Sequence, residues 1–66
     1  MKSAGHLFKE ARLKKGLTQV EVAEKSGIHI NTYTRVERGE QEPSFATIKK
    51  LANVLDVNLE DIPAPK

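Results

Sequence analysis

A single glycine divides the most constraining stretch of this chain, Leu17 to Gly39 (LTQVEVAEKSGIHINTYTRVERG), into two short amphipathic patterns. Thr18 stands three residues before Glu21, the spacing of a capping box, in which hydroxyl and carboxylate each satisfy a free backbone N–H. Val22 and Ala23 then supply an inward face, and Gly27 ends the helix where a left-handed residue is needed. Beyond it comes Ile28, and Tyr33 and Val36 recur at a spacing that lies on one helical face. Gly39 closes the second pattern. The stretch predicts two helices of about two to three turns joined by a tight turn.

The flanking segments read as further helices. Ser3 to Lys15 holds good helix formers, with Ala4, Leu7, Phe8 and Ala11 as its apolar set and Gly16 as its stop. Lys14 and Lys15 suit the negative end of that helix dipole. Arg12, at the edge of the apolar face, is either a snorkelling stem or half of a partly buried ion pair. Glu40 to Ser44 is a loop, with Pro43 preventing continuation of the preceding helix. Ser44 can cap a fourth helix, FATIKKLANVL, in which Ile48, Leu51, Ala52 and Leu55 outline an inward stripe and Lys49 and Lys50 fall on the wet side. Asn58 can cap a short last helix over Leu59 to Ile62, and Pro63 and Pro65 predict a frayed tail over 63–66. No segment alternates with period two, so no sheet is expected. The expected fold is all-α, a compact five-helix bundle in one domain spanning residues 1–66, with a helix-turn-helix at about 18–38.

With 66 residues, such a domain buries only about 60% of the surface its unfolded chain exposes, so the core must be tightly built. Cysteine is absent, which rules out disulfides and thiolate metal sites and fits a reducing, cytoplasmic compartment. No apolar run reaches the roughly 20 residues of a spanning helix. Net charge is +2, but unevenly spread: eight Lys/Arg less four acids give +4 over residues 1–38, and three less five give −2 over 39–66. The basic excess lies on the part carrying the helix pair, although charge alone fits an ordinary solvated surface. His6 and His29 have no accompanying ligand cluster, so surface positions are expected and no metal or cofactor. No nucleophile, base and orienting group form a set, and no glycine loop cradles phosphate, so an enzyme is not expected.

Arg12, the run Gly16-Leu17-Thr18-Gln19, Ala23, Gly27, Arg35, Glu37, Gly39, Pro43-Ser44 and Leu51-Ala52 together resemble the phage repressor/Cro (XRE-type) family of helix-turn-helix DNA-binding domains. The likeness extends from about Gly5 to Ile62 and implies a lambda-repressor-like bundle. It also implies that the helix from about His29 or Ile30 to Arg38 enters the major groove of double-stranded DNA, while the helix beginning at Thr18 crosses the backbone. With Ile28, Tyr33 and Val36 inward, Ile30, Asn31, Thr34, Arg35 and Arg38 are left outward. An amide can pair with adenine N6 and N7, a guanidinium with guanine O6 and N7, and an apolar group can touch a thymine methyl. The expected base-reading set is Ile30, Asn31, Thr34, Arg35 and His29. Ile30 has a core role as its alternative, and Asn31 a helix cap. Gln19 matches the family position that bonds phosphate, with Thr18, Thr32, Arg38 and Gln41 as further phosphate candidates. Arg12 and Glu37 match a structural ion pair of the family. Two departures stand out. His29 replaces a serine or threonine cap, so a less clean start to the third helix is expected. The turn Glu40-Gln41-Glu42 is acidic where some relatives carry cations, which should repel phosphate.

The resulting expectation is a sequence-specific transcriptional regulator, a repressor by operator occupancy, acting as a homodimer through its fourth to fifth helix region. The alternatives are a protein-interaction adaptor on the same bundle and an antitoxin that represses its own promoter.

Overall fold

The computed structural model describes residues 3–62, so the expected frayed tail at 63–66 lies outside the described residues. Four α-helices follow in order: α1 (Ala4–Lys15), α2 (Gln19–Ser26), α3 (Ile30–Arg38) and α4 (Phe45–Leu55). The fifth expected helix is instead a single 3-10 turn, Leu59–Asp61. Pro63 disfavours helical geometry at Ile62, which leaves too few residues after Asn58 for an α-helical turn to propagate. There is no strand among the described residues.

Each start follows from a side chain that accepts an orphan N–H. Ser3 Oγ accepts from His6 N–H at 3.2 Å, and Ser44 Oγ from Thr47 N–H at 3.2 Å. The Thr18 box is complete: Glu21 N–H reaches Thr18 Oγ1 at 3.1 Å, and Thr18 N–H reaches Glu21 Oε1 at 2.9 Å. All four α-helices end on a left-handed residue, a glycine in three cases and Asp56 (φ 55°) in the fourth. Asp56 holds that conformation while its carboxylate pairs with Lys15, tying the end of α4 to the end of α1.

The core draws on every helix. Phe8 comes from α1, Val22 and Ala23 from α2, Tyr33 and Val36 from α3, and Ile48, Leu51, Ala52 and Leu55 from α4. The expected stripes on α2, α3 and α4 are therefore all buried. Leu17, Ile28 and Val57, from the connections, pack around the edge of this cluster.

At Gly5, α1 and α3 approach too closely to admit a side chain. Gly5 is buried, and a Cβ built there would stand 1.8 Å from the carbonyl oxygen of Val36. Backbone therefore meets backbone, and no larger residue fits without moving one helix off the other. Alanine would gain about 1 kcal/mol of helix propensity over glycine, but overpacking typically costs about 1–3 kcal/mol, and here the obstructing atom cannot rotate away. Gly5→Ala is expected to lower unfolding free energy by roughly that overpacking range, read as an earlier midpoint in urea. An unchanged or later midpoint would show that α1 slides freely on α3.

Candidate nucleic-acid interface

The turn between α2 and α3 is built by Gly27 (φ 70°), whose conformation reverses the chain, and by the Ile28 N–H bonding to Ala23 O at 3.0 Å. Ile28 and Tyr33 occupy the two positions of a hydrophobic staple, before the cap and four residues into the helix, and both join the core cluster. Between them His29 caps α3: its Nδ1 accepts from Asn31 N–H at 3.1 Å. The imidazole thus does the work expected of serine or threonine, and α3 starts cleanly at Ile30.

Tyr33 and Val36 face inward, and Asn31, Arg35 and Arg38 are exposed on the opposite side. Asn31 uses its backbone, not its side chain, at the helix start, so its carboxamide is left for outside contacts. Arg35 has no ion-pair partner among the described residues. Thr34 is half-buried, and its hydroxyl donates to Asn31 O at 3.0 Å.

Ile30 corrects the expectation from sequence. It is half-buried and packed against the core rather than turned out. Ile28 lies ahead of the helix, so it does not fill the inward slot of the first turn. Ile30, Tyr33 and Val36 recur every three residues and form the inward stripe themselves.

Behind this face lies a charged cluster. Arg12 Nε donates to Glu37 Oε2 at 2.7 Å, Nη2 to Oε1 at 3.3 Å, and Nη1 to the Leu17 carbonyl at 2.9 Å. The two side chains are 11% and 3% exposed, so the expected pair is present and largely withdrawn from water. Gln19 joins it, its Nε2 donating to Glu37 Oε1 at 2.9 Å. That bond was not visible in the sequence and commits one of the two amide hydrogens of Gln19. Of the other phosphate candidates, Thr18 and Gln41 are exposed and Thr32 is half-buried. Arg38 carries a long contact to Glu40, with Nη1 at 3.8 Å from Oε2.

Burial opposes ionisation of Glu37, but the hydrogen bonds from Arg12 and Gln19, with the Arg12 charge beside them, outweigh it and hold the carboxyl below its ordinary value. Burial, reinforced by the Glu37 charge, pushes the Tyr33 phenol far up, so it stays neutral. No group of three or more His, Cys, Asp or Glu able to hold a metal occurs among the described residues. No helix among them is long and apolar enough to cross a membrane.

A helix-turn-helix family model matches residues 8–62. The uncharacterized HTH-type transcriptional regulator YqaE of Bacillus subtilis is 42% identical over 53 residues, covering 80% of this chain and 46% of that protein. ImmR, an HTH-type transcriptional regulator of the same organism, is 41% identical over 58 residues, covering 88% of this chain and 46% of ImmR. The cryptic phage CTXphi transcriptional repressor RstR of Vibrio cholerae is 35% identical over 55 residues, covering 83% of this chain and 50% of RstR. The chain thus spans about half the length of these relatives. No solved structure matches it at this level of similarity.

Because the folded state lowers the Glu37 pKa, its contribution to stability is present above the ordinary glutamate value of 4.5 and is lost as pH falls through the folded value. Glu37→Gln is expected to melt earlier than wild type at neutral pH and to close that gap on acidification. Thermal denaturation followed between about pH 7 and pH 3 reads both. A gap of constant size would rule out the linkage.

Proposed function

The chain belongs to the helix-turn-helix family, and from that premise we propose that it binds double-stranded DNA sequence-specifically and represses transcription by occupying an operator, with α3 in the major groove. The observation that carries this reading is the outer face of α3. Asn31 and Arg35 stand four residues apart, one turn, both exposed, while Tyr33 and Val36 fix the helix from beneath. An amide and an exposed guanidinium one turn apart can address adenine and guanine on neighbouring base pairs. Thr34 and His29 flank them. Ile30, being packed, is dropped from the reading set except for whatever edge it leaves exposed. Gln19, Thr18, Thr32, Arg38 and Gln41 are proposed to hold phosphates and set register.

Residues 1–66 act on this reading as one DNA-binding domain. A nine-residue reading helix addresses few base pairs, so two copies are proposed to act together. Their α3 helices would enter successive major grooves about 34 Å apart, a span that two contacting bodies 27 Å in longest dimension can bridge. The proposed contact surface is the end of α4 with the 3-10 turn. The names of ImmR and RstR, a regulator and a phage repressor, support the regulatory role. A cytoplasmic location follows from the target.

Selection of bound duplexes from a random pool tests the whole reading. It should return a site with two half-sites, whereas no enrichment of any duplex at low salt would favour the protein-interaction adaptor. On the selected site, Arg35→Ala is expected to cost about 1–3 kcal/mol and to relax preference at one base position. Unchanged preference would remove Arg35 from the groove. Gln19→Ala should instead weaken cognate and random duplexes by the same factor, as a phosphate contact does.

A further inference from the structure

Three of the four α-helices finish in the same way. The second residue past the last helical one returns its N–H to the helix: Leu17 to Arg12 O at 3.1 Å, Ile28 to Ala23 O at 3.0 Å, and Val57 to Ala52 O at 2.9 Å. All three residues are apolar and pack against the core, the usual partner of this bonding pattern. The end of α3 makes the same bond, Glu40 N–H to Arg35 O at 2.9 Å, yet the residue there is an exposed carboxylate. It adds nothing to the core. A negative charge at the carboxyl end of a helix is also disfavoured by the helix dipole. Helix stability therefore does not account for Glu40.

What Glu40 does contact is Arg38, at 3.8 Å between Oε2 and Nη1, with the two side chains 57% and 67% exposed. We propose that Glu40 is an internal competitor for phosphate, which partly occupies Arg38 and so lowers the affinity of this chain for every duplex alike. The inference rests on the DNA-binding reading above and assigns to the acidic turn a role that reading leaves unexplained. The backbone bond to Arg35 pins Glu40 at the foot of the reading helix. When Arg38 turns to a phosphate, the carboxylate stays beside it, and the phosphate meets a negative charge next to its cation. An exposed pair of this kind is weak, so Glu40 damps the grip without abolishing it. Sequence-independent binding is almost wholly a matter of cations neutralising phosphates. In a chain of net charge +2, muting one such cation weakens cognate and random duplexes by the same factor.

The test is a salt titration of binding, by fluorescence anisotropy, on the selected duplex and on a scrambled duplex of equal length. Glu40→Gln is expected to bind both about two- to five-fold more tightly, the range set by exposed ion pairs. Its plot of log affinity against log salt should steepen by about one, with base preference unchanged. In an Arg38→Ala background the same substitution should bring little gain. Unaltered affinity and slope in Glu40→Gln would overturn the proposal. So would a full gain that persists without Arg38, which would make Glu40 a through-space repeller of DNA. Either result, with wild type still binding, leaves the DNA-binding reading standing. A wild-type chain that binds neither duplex overturns both.

Discussion

The contact between Arg12 and Glu37 joins residues 25 positions apart and reaches three of the four helices. Through Nη1 it also holds the Leu17 carbonyl, and through Glu37 it holds Gln19, so α1, the first turn, the start of α2 and the end of α3 share one polar cluster. Taking two charges out of water is costly, and such a pair often adds little net stability over an apolar replacement. Removing one partner is a different matter, because the other is then buried uncompensated, at a cost of about 3–5 kcal/mol. The cluster therefore fixes arrangement more than it adds stability: α3 has one rotation about its axis that brings Glu37 to Arg12, and that rotation turns Asn31 and Arg35 outward.

Orientation has to come from such contacts because the helices are short. With eight residues in α2 and nine in α3, neither is stable alone in water. Caps at both ends and an inward stripe supply what length does not. Gly5 adds a second constraint on α3 at Val36, one residue from Glu37, so that backbone contact and ion pair locate the same segment of the helix. Between them they leave little freedom for the outer face of α3 to tilt relative to α1.

Much of this was legible in the residues. The capping box at Thr18, the stops at Gly16, Gly27 and Gly39, and the α4 stripe are local patterns, and local bonding decides them. The core of α3 was half legible. Tyr33 and Val36 declare themselves by spacing, but by spacing Ile28 and Ile30 compete for one inward slot, and only the position of the cap at His29 separates the two. Gly5 and Gln19 were harder. A glycine near a helix start reads as a weak helix former until the neighbouring helix is in place, and an amide at a first helical turn has no sequence signal for a partner 18 residues away.

The cap at His29 has a chemical corollary. A ring nitrogen that accepts from Asn31 N–H carries no proton, so in the neutral ring the proton sits on Nε2. The tautomer is thereby chosen by the backbone, and the polar atom the imidazole has left to offer is a donor. Such a ring can meet a carbonyl, a purine N7 or a phosphate oxygen, but it has no lone pair for an exocyclic amine. The side chain that starts the helix thus also limits the kind of edge it can greet.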